Sequence, residues 1–581
     1  MENAKFSFNE LSCSGFQDNF VSQTVGSEVA DCGDTRNDSF CSDYGFCQEN
    51  FWDKESLISR YEEQEQLQQS FLDYMQFDDL RSNILSPPLE ICLEEITKLG
   101  EIQNGVQGDD PKEDKSYPIS LESLQLLRNY STGFKQLTSG RVIEPSDCIR
   151  PANVSGQGLS TEDIIRIAGA RFIQSSCHGF DVDSMFNNPF YLSSSGLSDE
   201  DTKMVQLAES LLASAEKIGN QQFDVASRSL KLCSSSSSSD GNPVERVVYH
   251  FAEALREKIE TETGRFISKG LGKKQLFDIE KSMMNANPTI LAAHQAIPFS
   301  QIFHFAGIQA IVDNVADARR IHIIDFTIRN GLQWTVLMQA LVSRHECPVE
   351  LLKITAITTA CENLIQTTGK RLTSFAHTMN LNFSFKIVVV SDFLDLKEDM
   401  LELDDEETLA IYTEYFPRSL IVLPKRLESV MRVIKNINPC VMVVVEVEAN
   451  YNSPTFVNRF IEALFYYSAY FDCFEACMER DDSNRLILES MYSGRAIRCI
   501  LAIEEEERMI RSVKLDVWRS FYGRFGMMEI DLSSSSLLQA NLIVKKFACG
   551  IYCTLDQNGR SLIVGWKGTP LHSLSAWKFV L

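Results

Sequence analysis

The chain has 581 residues, 44% hydrophobic and 23% charged, a balance typical of a globular protein with a large buried core. Its net charge of −25 argues against a protein that coats nucleic acid, because phosphate binding needs clustered lysine and arginine. The first ten residues lack a signal peptide, and apolar runs such as residues 441–447 are shorter than the roughly 18 residues of a membrane span, so we expect an intracellular protein without membrane contact.

The N-terminal part is acidic. Residues 1–120 contain 25 Asp and Glu against 8 Lys and Arg, and this composition predicts a largely disordered leader over residues 1–115. Within it Phe71, Tyr74 and Phe77 are interleaved with aspartates, a pattern typical of activation segments that a coactivator groove receives. The alternative is a short helix that docks on the protein's own core.

Helical patterns follow. Residues 116–200 are predicted to be a transition region with one helix at about 160–174, capped by Ser160, and residues 200–300 to be a helical cap. In this cap Leu207, Leu211 and Leu212 form an apolar stripe at helical spacing. This stripe either meets an equivalent helix of another protein or packs inside the cap.

From residue 301 to 581, strands alternate with helices. Apolar segments at residues 321–324, 351–357, 385–390, 408–412 and 441–447 predict buried parallel strands. Residues 542–547 and 561–565 resemble an antiparallel pair near the end. The predicted fold class is therefore α/β, with a Rossmann-like, mostly parallel sheet core, a helical cap before it and the acidic region in front.

Candidate polar sites lie at the strand ends. His322 and Asp325 resemble a catalytic pair, but a spacing of three places them on opposite faces of a strand. We therefore expect a buried, hydrogen-bonded imidazole and an aspartate that caps the next helix or bonds to its loop. Glu446 and Glu448 share a strand face; they form either a paired-carboxylate site or, as we favour, ion-pair and amide contacts, with Arg459 as a candidate partner.

Metal and hydrolase signatures are weak. Cys473 and Cys477, like Cys549 and Cys553, are four residues apart and lack matching histidine pairs, so we expect small core residues and no metal. The sequence contains no GxSxG, HExxH or P-loop pattern. We predict no catalytic residue and no cofactor.

Several short motifs follow one another in the C-terminal two thirds of the chain. Residues 321–326 read IHIIDF and are followed by GLQW at 331–334. This segment resembles the VHIID motif of the GRAS family of plant transcriptional regulators. Further similarity lies at residues 243–255, 448–472, around Arg495, and at the closing segment from Trp566 to Trp577, which resembles the SAW motif. The resemblance covers roughly residues 200–581.

The resemblance implies a nuclear transcriptional regulator that binds other GRAS proteins, as a homo- or heterodimer, and DNA-binding transcription factors. It makes Arg495, Trp566 and Trp577 motif residues, although for both tryptophans we favour core packing over an interface role. The chain also departs from the pattern: Ala496 stands where the family has Glu after Arg495, Ile510 replaces another Glu, Asn330 stands where Gln is usual, and Asn382 replaces a proline. No DELLA segment occurs in the leader.

Three alternatives remain at this stage. The same fold could bind promoter DNA directly, although its basic patches are short. It could act as an adaptor without transcriptional output. It could also be an S-adenosylmethionine-dependent methyltransferase, but the turn after Asp325 has one glycine, Gly331, with bulky Phe326 and Ile328, and no acid ends the second strand.

Overall fold

The computed structural model describes residues 120–131, 159–176, 197–265 and 288–580. The predicted acidic leader, with Phe71, Tyr74 and Phe77, lies outside the described residues. Within the described part of the chain, no helix is long and apolar enough to cross a membrane.

Five parallel strands form one half of a nine-stranded sheet, in the order β3-β2-β1-β4-β5. Central strands β1 and β5 are buried along almost their whole length, as expected of strands covered on both faces. Their bounds are Arg320–Asp325 (β1), Leu351–Thr358 (β2), Phe383–Val389 (β3), Thr408–Glu414 (β4) and Val441–Val447 (β5).

The other half of the sheet is antiparallel. Its central strand, β9, pairs with β5 on one side and with both β8 and β6 in other parts of its length. The bounds are Met527–Ile530 (β6), Cys553–Asn558 (β7), Ser561–Trp566 (β8) and Thr569–Phe579 (β9). The sheet is therefore mixed, and the core is Rossmann-like in its parallel half.

Helices cover both faces of the sheet. On one face Gly307 brings its helix close to the strands: a Cβ there would lie 3.1 Å from Tyr412 and 3.4 Å from Val443. On the other face Met431 and Trp518 pack into a core built on the sheet. The covering helices are α7 (Pro298–Asn314), α8 (Leu332–Val342), α9 (Glu362–Thr378), α10 (Phe416–Ser419), α11 (Pro424–Ile437), α15 (Leu515–Arg524) and α16 (Ser534–Lys546).

The remaining helices form a cap that draws on more of the chain than residues 200–300. Helix α12, almost entirely buried, packs against the N-terminal helices. The cap helices are α1 (Leu121–Ser131), α2 (Thr161–Ser176), α3 (Asp199–Gly219), α4 (Phe223–Ser235), α5 (Pro243–Glu262), α6 (Pro288–Ala296), α12 (Phe456–Cys477), α13 (Ser483–Ile487) and α14 (Arg495–Leu501).

Aromatic and polar contacts fix α1 and α2 on this assembly. Tyr130 of α1 stacks on Phe465 of α12, with ring centroids 4.6 Å apart, and its hydroxyl donates to Glu462. Helix α2 begins with the Ser160 hydroxyl accepting from the backbone N–H of Asp163, the contact that the sequence predicts. The cap is therefore assembled from segments hundreds of residues apart.

The structure selects one open alternative and corrects one expectation. Leu207, Leu211 and Leu212 are at most 7% exposed, so of the two alternatives for this stripe, packing inside the cap is the one observed. Residues 542–547 are not a strand: all but the last lie in α16, which begins where the Ser533 hydroxyl accepts from the backbone N–H of Ser536. Of this run only Ile543 is buried, on the same helix face as Gln539 and Ala540, whereas Lys545 and Lys546 are exposed.

Candidate functional site

The carboxyl ends of the parallel strands are where open α/β sheets bind ligands. Here β1 ends at Asp325, β4 at Glu414 and β5 at Val447. The helices of the cap lie over this edge, so a ligand site of this fold would lie between the sheet and the cap.

Both carboxylate oxygens of Asp325 accept hydrogen bonds from residues that follow it in the chain. One carboxylate oxygen accepts from the backbone N–H of Thr327 at 2.8 Å, and the other accepts from Trp334 Nε1 at 2.9 Å. Burial raises the pKa of Asp325 to about 7, although both hydrogen bonds oppose the rise. The aspartate therefore holds the turn against α8.

His322 does not approach Asp325. Its Nε2 lies 2.8 Å from the Thr355 hydroxyl and its Nδ1 lies 3.0 Å from a Glu407 oxygen. Burial, reinforced by the charge of Lys353, lowers the pKa of His322 to about 3. The imidazole is neutral at physiological pH and is a structural group of β1.

The residues at this edge do not fit S-adenosylmethionine. Phe326 and Ile328, in the turn where backbone amides would approach the ligand, are buried at 4% and 1% exposure. Strand β2 ends at Thr358, whose hydroxyl bonds to the backbone of Ala360, so no carboxylate stands where a ribose would be held.

A cavity of about 290 Å³ lies between this edge and the cap. The ends of β1, β4 and β5 form its floor, while α6, α7, α12 and the segment around residues 488–496 supply the other walls. Three arginines, Arg329, Arg418 and Arg511, line it. Glu414 is the one carboxylate among the described residues that do so.

An arginine–tyrosine stack forms part of the wall. The Arg329 and Arg418 guanidinium carbons lie 5.2 Å and 4.9 Å from the ring centroid of Tyr415, within the range of cation–π contacts. Arg329 and Tyr415 both have left-handed backbones, with φ of 42° and 63°. Left-handed backbone conformations are strained for residues other than glycine, and such residues cluster at functional sites.

Glu414 balances part of this charge. Its oxygens lie 3.5 Å from His304 Nε2 and 3.8 Å from Arg329 Nη1. Burial alone would raise the pKa of Glu414, but the hydrogen bond and charge of His304, with the charge of Arg329, outweigh it and lower the pKa to about 2. Glu414 is therefore ionised at every physiological pH.

His572 of β9 links two tyrosines of the wall. The Tyr415 hydroxyl lies 3.1 Å from its Nδ1, and the Tyr470 hydroxyl contacts its Nε2. Burial, together with the charge of Arg418, lowers the pKa of His572 to about 3. His572 and the tyrosines that it joins thus form an aromatic part of the wall in which the imidazole is neutral.

The strand carboxylates do not form a paired site. Glu446 accepts from the backbone N–H of Arg418 at 3.1 Å, whereas Glu448 accepts from that of Leu515 at 3.1 Å. Arg459 contacts neither of them among the described residues and pairs with Glu504 instead. The prediction that Arg459 is their partner is therefore wrong, because its helix directs it to a different loop.

The remaining motif residues have packing positions. Trp566 and Trp577 are 0% and 2% exposed; Trp566 Nε1 donates to Asp472 at 2.7 Å, and Trp577 Nε1 donates to the Ser575 hydroxyl at 2.9 Å. Arg495 is half-buried at the start of α14. None of the three is exposed enough to be the centre of an interface.

The cysteines come closer together than their spacing suggests. Cys477 Sγ lies 2.7 Å from Cys549 Sγ and 3.8 Å from Cys473 Sγ. No group of three metal-binding side chains suited to a metal ion occurs in the described ranges. Burial raises the pKa of the Cys473 thiol, which disfavours the reactive thiolate.

Two exposed apolar residues were missed by the sequence analysis. Val225 and Leu232 of α4 are 42% and 69% exposed and, seven residues apart, share one face of the helix. The spacing was visible in the sequence, but which face of α4 the cap buries was not.

Comparisons with known proteins agree with one another. Residues 207–578 match the GRAS domain family. The DELLA protein GAI1 of Vitis vinifera is 30% identical over 388 residues, covering 66% of this chain and 63% of that protein. The DELLA protein DWARF8 of Zea mays is 31% identical over 396 residues, covering 64% of this chain and 61% of that protein.

The solved structure of SCL7 from Oryza sativa is 24% identical and superposes with a TM-score of 0.55. It covers 64% of this chain and 99% of that chain, and shows the same fold. The match with the two curated relatives spans less than two thirds of their length.

Proposed function

Because the chain belongs to the GRAS domain family, we propose that it is a plant transcriptional regulator that works in the nucleus as a co-regulator, binding related GRAS proteins and DNA-binding transcription factors. The family match over residues 207–578 carries this proposal. The chemistry of the strand ends supports it, since Asp325 is committed to Thr327 and Trp334 and the residues after β1 and β2 do not fit a methyl donor. In this proposal the protein acts by binding, and no described residue is assigned a catalytic role.

The cap supplies the surface for a related protein. Val225 and Leu232 give α4 an exposed apolar face, and this face replaces the buried leucines of α3 as the docking candidate. Exposed apolar side chains flanked by polar ones are typical of helix–helix recognition. The acidic leader, residues 1–115, is the segment that binds coactivators in this proposal.

A tethered reporter assay in plant cells tests the output. The full chain and a variant with Phe71, Tyr74 and Phe77 changed to Ala are each fused to a neutral DNA-binding domain. We expect the full chain to raise reporter expression and the triple variant to lose most of that activity. If both are silent or repress the reporter, the coactivator part of the proposal is wrong.

A second assay tests the docking face. Leu232→Asp should weaken association of the full chain with a GRAS partner in co-purification. Leu403→Asp, at a residue 39% exposed outside the cap, is the control and should leave association unchanged. Equal binding by both variants would place the interface elsewhere.

Direct promoter binding is the second candidate function. The net charge of −25 disfavours it, since specific DNA interfaces are rich in positive charge. A sequence-selective gel shift by the full chain that weakens steeply with salt would favour this candidate over the co-regulator.

A further inference from the structure

We propose that the cavity between the strand ends and the cap binds a small organic anion, a carboxylate joined to a flat aromatic or apolar body. This ligand site goes beyond the regulatory function proposed above and does not depend on it. The walls of the cavity contain guanidinium groups that can bind the carboxylate and aromatic rings that can pack against the flat or apolar part of the ligand.

The size of the cavity limits the ligand. Its volume of about 290 Å³ is just below the roughly 300–1,000 Å³ that small-molecule sites occupy. A molecule of one or two rings fits, whereas a dinucleotide does not. The position, at the carboxyl ends of β1, β4 and β5, is the one at which open α/β sheets hold ligands.

The lining charge is unbalanced. Arg329 and His304 share Glu414, but Arg418 has no ion pair or side-chain hydrogen bond with any described residue, and its guanidinium packs on the Tyr415 ring. Arg511 donates to two backbone carbonyls and to Asn452 Oδ1, all neutral acceptors. A carboxylate would supply the missing negative charge to Arg418 through charge-assisted hydrogen bonds.

The other walls are suited to an apolar body. Tyr415 and Tyr466 line the cavity together with Phe299, Phe303 and Phe474. His572 lies among these rings and is neutral, since burial lowers its pKa to about 3. Flat apolar groups pack well against aromatic faces, while a strongly hydrated ligand would lose its water without compensation here.

Three of the four departures from the GRAS pattern lie at this same cavity. Asn330, Ala496 and Ile510 line it, whereas Asn382 does not. Ala496 and Ile510 stand where the resemblance leads one to expect glutamate. Their neutral side chains add no negative charge beside Arg418 and Arg511, so the anion site rests on residues in which this chain departs from the family pattern.

Ligand binding would couple the two layers of the protein. The lining comes from the sheet edge through Glu414 and Arg418, and from cap helices through His294, Tyr470 and Ala496. An anion held by both layers stabilises their packing and the surface that the cap presents to partners. The site is therefore placed to regulate the protein by a metabolite.

The test uses a matched pair of probes and calorimetry with the full chain. 2-Naphthoate carries a carboxylate on a flat apolar body, and 2-naphthamide is its neutral analogue of nearly the same shape. We expect 2-naphthoate to bind about tenfold to a hundredfold more tightly than 2-naphthamide, as charged hydrogen bonds contribute. Equal affinity of the two probes, or no binding of 2-naphthoate, would overturn the proposal.

Two variants that differ only in charge locate the site. Ala496→Glu places a carboxylate in the cavity wall, and Ala496→Gln places an amide of the same size there. We expect Ala496→Glu to lose 2-naphthoate binding about tenfold or more relative to Ala496→Gln. Similar affinities in the two variants would show that the anion binds elsewhere and would refute the site.

Arg418→Gln adds an independent variant. It should lower 2-naphthoate affinity about tenfold and leave 2-naphthamide binding unchanged, because the amide does not use the charge. Arg432→Gln, at a side chain 70% exposed on α11, is the matched control and should bind like the wild type. An Arg418→Gln protein that folds and binds 2-naphthoate normally would contradict the role given to this arginine.

Discussion

Replacing Glu446 by Gln should change how stability depends on pH. Glu446 lies in β5 at 1% exposure; Oε1 accepts from the backbone N–H of Arg418, and Oε2 has no hydrogen-bond partner in the described part of the chain. Burial raises its pKa from 4.5 to about 7, although the charge of Arg418 opposes the rise. At 1.36 kcal/mol per pKa unit, ionisation of Glu446 costs the folded state about 3 kcal/mol above pH 7.

The sign is opposite to that of an ordinary ion-paired carboxylate. Between pH 4.5 and about 7 the folded protein keeps a proton on Glu446 that the unfolded chain releases, so this group stabilises the fold increasingly as the pH falls. From pH 8 to pH 5.5 its contribution to the free energy of unfolding rises by about 2 kcal/mol. Glu446→Gln should remove that rise, while its amide oxygen keeps the bond to Arg418.

Urea denaturation of the full chain at pH 8 and pH 5.5 measures the difference. The change with pH in the free energy of unfolding should be about 2 kcal/mol smaller for Glu446→Gln than for the wild type. Glu406→Gln, at a side chain 76% exposed, is the control and should follow the wild type. If Glu446→Gln also follows the wild type, Glu446 is ionised in the folded protein and the argument from burial is wrong.

Three further substitutions test the packing of the cap and the sheet, each by urea denaturation. Trp566→Phe removes the N–H that donates to buried Asp472 and should lower the free energy of unfolding by about 2 kcal/mol; an unchanged midpoint would mean that this bond adds nothing. Tyr130→Phe keeps the ring stack but removes the O–H that donates to Glu462, and should cost about 1.5–3 kcal/mol; a stabilised variant would contradict this. Gly307→Val should cost about 1–3 kcal/mol because its Cβ would press on the sheet, and a neutral result would show that the helix can move away.

The alternation of strands and helices could be predicted from the sequence, because parallel strands buried on both faces are short runs of apolar residues. The segment at 321–324 became β1, Arg320–Asp325, and the segment at 441–447 became β5 with the same bounds. The local sequence pattern gave the wrong element where the same residue composition suits both a strand and a helix. The run at 542–547 is compatible with a strand or with part of a helix. A helix forms, and it begins at the Ser533 cap, nine residues before the run.

The candidate site was less predictable than the fold. Asp325 and His322 could be assigned to opposite faces from strand geometry alone, and their contacts are separate. The cavity could not be predicted, because its walls come from residues as far apart as His294 and His572. Burial by distant segments also determines why Leu211 is covered and Leu232 is exposed, and no local pattern contains that information.

The position of β9 has a consequence for synthesis. Strand β5 is paired with β9, which is made more than a hundred residues later, so β5 leaves the ribosome with one edge open. Its side chains are among the most apolar in the protein, and open apolar edges associate with other chains. Nascent chains should therefore need chaperone protection until residues 569–579 emerge, and a stop codon before them would release an aggregation-prone product.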